Sequence, residues 1–72
     1  MPQAGAKPMI KLGDRVIATE GIGGIIFTHV PQGTRGVVVE DRGGWFTRYY
    51  VVEFDNGEVE TCSEDQIAKI RK

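Results

Sequence analysis

The lone cysteine and the lone histidine of this 72-residue sequence, Cys62 and His29, are of types that can pair as nucleophile and base. A thiol attacks as its thiolate, so it needs a neighbour that lowers its pKa. No glycine-rich oxyanion loop flanks Cys62, and at the end of a strand-like run it reads as a small buried apolar residue or a harmless surface one. A metal centre lacks its donors. His29 has no second histidine, the single cysteine excludes Cys-based zinc sites and an internal disulfide, and the acid pairs Glu40-Asp41 and Glu64-Asp65 fall on expected turns, where carboxylates are solvated or cap backbone. Gly21-Ile22-Gly23-Gly24 has the glycines of a phosphate-binding loop without its context. No helix follows and no Gly-Lys-Ser or Gly-Lys-Thr occurs, so these glycines read as loop bends. The chain is read as a non-enzyme with no cofactor and no metal.

The strongest chemical signal is one of binding. Arg42-Gly43-Gly44-Trp45-Phe46-Thr47-Arg48-Tyr49 interleaves arginines with aromatics, the make-up of a base-stacking or cation–π surface. The competing reading has Trp45 and Phe46 covering one open end of a barrel while Arg42 and Arg48 neutralise Glu40, Asp41 and Glu53 across the strands. A second candidate surface is the apolar content of one long segment: Ile22, Ile25, Ile26, Phe27 and Val30. They form either a lid over the core or a contact surface for a partner or a second copy, because a domain this small has little core to spare.

These residues need elements to hold them. Nine Lys plus Arg against ten Asp plus Glu leave a net charge of −1, which excludes a generic DNA-coating protein. Glycines break the chain into pieces too short for a long helix, while β-branched and aromatic residues fill the pieces between them. The chain therefore reads as all-β. The spacing predicts strands over Arg15 to Ala18, Gly36 to Glu40, Phe46 to Phe54, Glu58 to Cys62 and Ile67 to Ile70. Asp41 to Gly44 and Asp55-Asn56-Gly57 are the turns, and Ser63 to Gln66 a single capped helical turn. Period-two alternation puts Tyr50, Val52 and Phe54 inward, and Val59 and Thr61 inward on the next strand. The expected core is Val16, Val38 or a neighbour, Tyr50, Val52, Phe54, Val59, Ile67 and Ile70. Residues 1–10 read as a flexible tail before a single domain over 11–72. The first apolar pair, Met9-Ile10, is cut short by Lys11, so no secretory signal is expected and a cytoplasmic location is the default.

Gly13-Asp14-Arg15-Val16, Gly33-Thr34-Arg35-Gly36-Val37-Val38, Tyr50 to Gly57 and Ile67 to Ile70, in this order around a long glycine-bearing loop, resemble an SH3-like small β-barrel over roughly residues 11 to 70. The pattern is similar to small bacterial SH3-like proteins, KOW-like and Tudor-like modules, the PsaE subunit of photosystem I and the variable chain of ferredoxin–thioredoxin reductase. Such relatives bind RNA, modified peptides, redox partners or other subunits, so the resemblance implies a fold more than a function. The type II dihydrofolate reductases share Gly-Asp-Arg-Val and the spacing of the last two strands, but their Val-Gln-Ile-Tyr strand reads Val59-Glu60-Thr61-Cys62 here, without the amide and phenol that contact the cofactor. The expectation is a five-stranded SH3-like barrel acting as a non-catalytic binding module. It docks a protein partner or a second copy of itself through the long loop (Ile25, Ile26, Phe27) and the hairpin bearing Arg42, Trp45, Arg48 and Tyr49. The alternative is an RNA or single-strand binder of KOW or Tudor type, weak for want of positive charge. No membrane partner is expected.

Overall fold

The computed structural model describes residues 9–24, 28–44, 46 and 48–70. The chain is all-β, with five strands: β1 (Arg15–Ala18), β2 (Arg35–Gly43), β3 (Arg48–Phe54), β4 (Val59–Ser63) and β5 (Ile67–Lys69). They form one antiparallel sheet in the order β4-β3-β2-β1-β5. Four consecutive strands thus meander, and the fifth returns to lie beside the first. β4 and β5 are the two edges, and no ladder joins them among the described residues. No helix among those residues is long and apolar enough to cross a membrane.

Alternation writes the core. Val16 and Ala18 of β1, Val38 of β2, Tyr50, Val52 and Phe54 of β3, Cys62 of β4 and Ile67 of β5 are all buried and form one cluster with Ile10, Ile22 and Val30. No helix or second sheet covers these side chains among the described residues, yet none exceeds 7% exposure. The sheet must therefore curl around its own inner face, with the segment between β1 and β2 closing over it. Gly36 is paired with Val16 on one side and Phe54 on the other. A Cβ built there would lie 2.7 Å from the Glu53 carbonyl oxygen and 3.0 Å from the Phe54 Cα.

The described parts of the segment between β1 and β2 pair with each other as two antiparallel arms. Ala18 N–H donates to Thr34 O at 2.8 Å and Gly33 N–H to Ala18 O at 2.8 Å, and Ile22 and Val30 exchange reciprocal backbone bonds at 2.9 and 3.0 Å. Ile22 and Val30 are thereby driven into the core, which is the lid reading for these two residues. Ile25, Ile26 and Phe27 lie outside the described residues.

Several sequence expectations change. β2 does not end at Glu40; it continues through Asp41, Arg42 and Gly43, which pair with Tyr50, Tyr49 and Arg48. Cross-strand pairing outweighs the turn preference of those residues. β3 starts at Arg48, leaving Phe46 outside it. Ser63 to Gln66 is a β-turn and not a helical one, closed by Gln66 N–H to Ser63 O and by the Ser63 N–H donating to Gln66 Oε1, both at 3.0 Å.

The inward face of β4 is the reverse of that expected. Val59 is 53% exposed and Thr61 is exposed, whereas Glu60 and Cys62 point inward. The cause lies in the hairpin. A two-residue Asn56-Gly57 loop would set Val52 opposite Thr61. Instead Phe54 N–H donates to Glu58 O and Gly57 N–H to Phe54 O, closing a three-residue loop in which Gly57 alone takes a positive φ of 92°. That one extra residue sets Val52 opposite Glu60 and Tyr50 opposite Cys62, and so turns the strand over. Ile10, placed in the N-terminal tail by its sequence context, is 7% exposed and belongs to the core, while Ile70 is only half-buried.

Candidate binding surface

The β2–β3 hairpin carries the arginine-aromatic signal, and a bulge decides which way its side chains face. Val38 pairs with Val52, but Glu40 pairs with Val51, so Val39 is an extra residue on β2. From there outward Glu40 and Arg42 lie on the outer face with Tyr49 and Val51, while Asp41 and Gly43 share the inner face with Tyr50 and Arg48. The ion pairs follow this division. Arg42 Nε donates to Glu40 Oε2 at 2.8 Å on one face, and Arg48 Nη1 stands 3.7 Å from Asp41 Oδ2 on the other. The Tyr50 hydroxyl, together with Asp41, shifts the Arg48 guanidinium above its ordinary pKa.

Both arginines are thus answered by acids of the same hairpin, as the charge-neutralising reading holds for Glu40 and Asp41. That reading fails for Phe46, which is 100% exposed and covers nothing. Tyr49 is 45% exposed on the outer face. Trp45 lies outside the described residues, as do Ile25, Ile26 and Phe27 of the long loop. The structure accordingly brings Arg42, Arg48, Tyr49 and Phe46 to one hairpin. Sequence reasoning placed Phe46 at the start of the third strand, with covering an open end of the barrel as one of its two readings. The outer face also presents Val39 at 46% and Val59 at 53% exposure, extending the apolar surface across β2 and β4.

The nucleophile–base pair is not assembled. His29 Nδ1 is 3.2 Å from Glu60 Oε2, and Cys62 is fully buried with its Sγ donating to the Glu60 carbonyl at 3.6 Å. Burial first, and the Glu60 charge second, push the Cys62 thiol from its ordinary 9.0 up to about 11. This is the opposite of activation. The raised value means that the neutral thiol costs the fold nothing below pH 9, and that ionisation erodes stability as pH rises through about 11. Iodoacetamide labelling of the folded chain at about pH 8 is therefore expected to run about a hundredfold slower than that of the chain unfolded in guanidinium, since a two-unit shift removes that fraction of thiolate. Equal rates would show an exposed thiol and sink the burial of Cys62.

No family model, no curated protein and no solved structure matches this chain.

Proposed function

We propose that the chain is a non-catalytic binding module of SH3-like type that docks a protein surface, a second copy of itself included, through the β2–β3 hairpin and the long loop after β1. The SH3-like reading is supported by the meander with its returning fifth strand, the long loop after β1 and the curled single sheet. The observation that carries the docking reading is Phe46. A fully exposed phenylalanine forfeits its burial free energy, roughly 1.5 to 3 kcal/mol, and regains it when a partner covers the ring.

Tyr49 and Arg42 beside it are of the residue types enriched in such contacts. The charge around them favours protein over nucleic acid. Glu40 and Asp41 balance Arg42 and Arg48, so the hairpin offers phosphates no uncompensated cation among its described residues.

The test uses the intact chain. Sedimentation across a wide concentration range is expected to show self-association that weakens about thirtyfold in Phe46→Asp, the loss of one aromatic anchor of about 2 kcal/mol. Titration of labelled single-stranded RNA is expected to show binding at low salt only. Submicromolar RNA affinity at physiological salt, abolished by Phe46→Asp, would replace the protein-docking reading with the nucleic-acid one. A monomer at every concentration would remove the second copy as occupant.

A further inference from the structure

The reversed face of β4 has placed two carboxylates and an imidazole together. Glu58 and Glu60 stand two residues apart on the same side of the chain, and the long-loop hairpin brings His29 against them. One donor atom from each of the three lies within 4.8 Å of the other two. No lysine or arginine among the described residues pairs with Glu58 or Glu60, so two like charges are held together with only a histidine to answer them. Two carboxylates and an imidazole held this close form a donor set a divalent cation can use.

The positions are fixed by their surroundings. Asn56 clamps both ligand-bearing segments: its Nδ2 donates to the His29 carbonyl at 3.1 Å, and its Oδ1 accepts from the Glu58 N–H at 3.1 Å. Gly23, at a φ of +78°, lies so close to Glu60 that a Cβ there would meet all three carboxylate atoms at 3.0 to 3.1 Å. The missing side chain leaves Glu60 a cradle in the loop, and its side chain is only 23% exposed.

We propose that His29 Nδ1, Glu60 and Glu58 bind a first-row divalent transition ion of the zinc type, tying the long loop to β4. The dimensions fit. Ligand bonds of about 2.0 to 2.1 Å in a tetrahedron put neighbouring donors about 3.3 Å apart, and His29 Nδ1 and Glu60 Oε2 are already 3.2 Å apart. The exposed Glu58 closes the remaining gap by a change of rotamer. An imidazole among the donors selects against calcium and magnesium, which take oxygen ligands. Water completes the sphere, because His29 and Glu58 are exposed. The ion acts as a structural tie and is independent of docking through the hairpin.

The test is calorimetric titration of the chelator-treated full chain with zinc chloride, alongside His29→Gln, Glu58→Gln and Cys62→Ser. Saturable one-to-one binding is expected, weakened about tenfold or more in His29→Gln and in Glu58→Gln, and retained in Cys62→Ser, with magnesium giving no heat. Glu58 is exposed, so its variant keeps the fold, which near-ultraviolet circular dichroism checks. Absence of saturable binding, wild-type affinity in either the His29 or the Glu58 variant, or loss in Cys62→Ser alone would each overturn the proposal.

Discussion

Truncation of Tyr50 to alanine is expected to leave the chain mostly unfolded. The ring is 1% exposed, sits in β3 between Asp41 of β2 and Cys62 of β4, and is the largest fully buried side chain among the described residues. Removing a buried aromatic costs about 3 to 5 kcal/mol through lost burial and the cavity left behind. A chain of this length is held by roughly 4 to 10 kcal/mol in all. Urea denaturation followed by tryptophan fluorescence measures the loss. Tyr50→Phe, which deletes only the hydroxyl beside Arg48, is expected to cost under about 1.5 kcal/mol. Should Tyr50→Ala lose less than about 1 kcal/mol, the inner face of β3 is not the core.

Gly36→Ala is the second large effect, and its cause is crowding. The added methyl would sit 2.7 Å from Glu53 O, 2.8 Å from Val52 Cγ1 and 3.0 Å from Phe54 Cα. Two of these three atoms are backbone and cannot swing aside, so β2 and β3 must part at the end of their ladder where Gly36 faces Phe54. A cost of about 2 to 3 kcal/mol is expected, against the gain of about 0.4 to 1 kcal/mol that glycine-to-alanine gives where the conformation and space allow it. A thermal melt of the variant decides between them: a midpoint at or above the wild type would show that the strands do not approach this closely.

How far the sequence could be read depended on whether a residue's fate was set locally. β1 lies at Arg15–Ala18 as expected, and the face of Tyr50, Val52 and Phe54 follows from alternation alone. What failed was parity. The face of β4 turns on whether the Asp55-Asn56-Gly57 hairpin closes with two residues or three, a choice of backbone hydrogen bonds that residue type leaves open.

Val59 looked like core and is surface; Cys62, read as either, is core. Likewise Asp41, Arg42 and Gly43 have turn propensities, but β3 offers them a ladder. For the candidate binding surface, the composition of Arg42, Arg48 and Tyr49 was visible, while the pairing of each arginine with an acid of its own strand or hairpin was legible only as one of two options. The nearness of His29 to Glu58 and Glu60 was beyond reach, because it needs both the β4 register and the course of a loop some thirty residues earlier.

The extra residue at Val39 also governs how this hairpin tolerates changes of length. Beyond it every side chain of β2 is out of phase with the strand before it, which is why Asp41 meets Arg48 and Arg42 stays with Tyr49. Were Val39 itself to pair with Val51, the two faces would exchange at a stroke, sending Glu40 and Arg42 toward the curled interior. Gains or losses beyond Val39 that come in twos, one on each arm, leave the phase intact. The tip can therefore grow or shrink over generations in steps of two, carrying its exposed aromatics nearer to or farther from the body while the core keeps its residues.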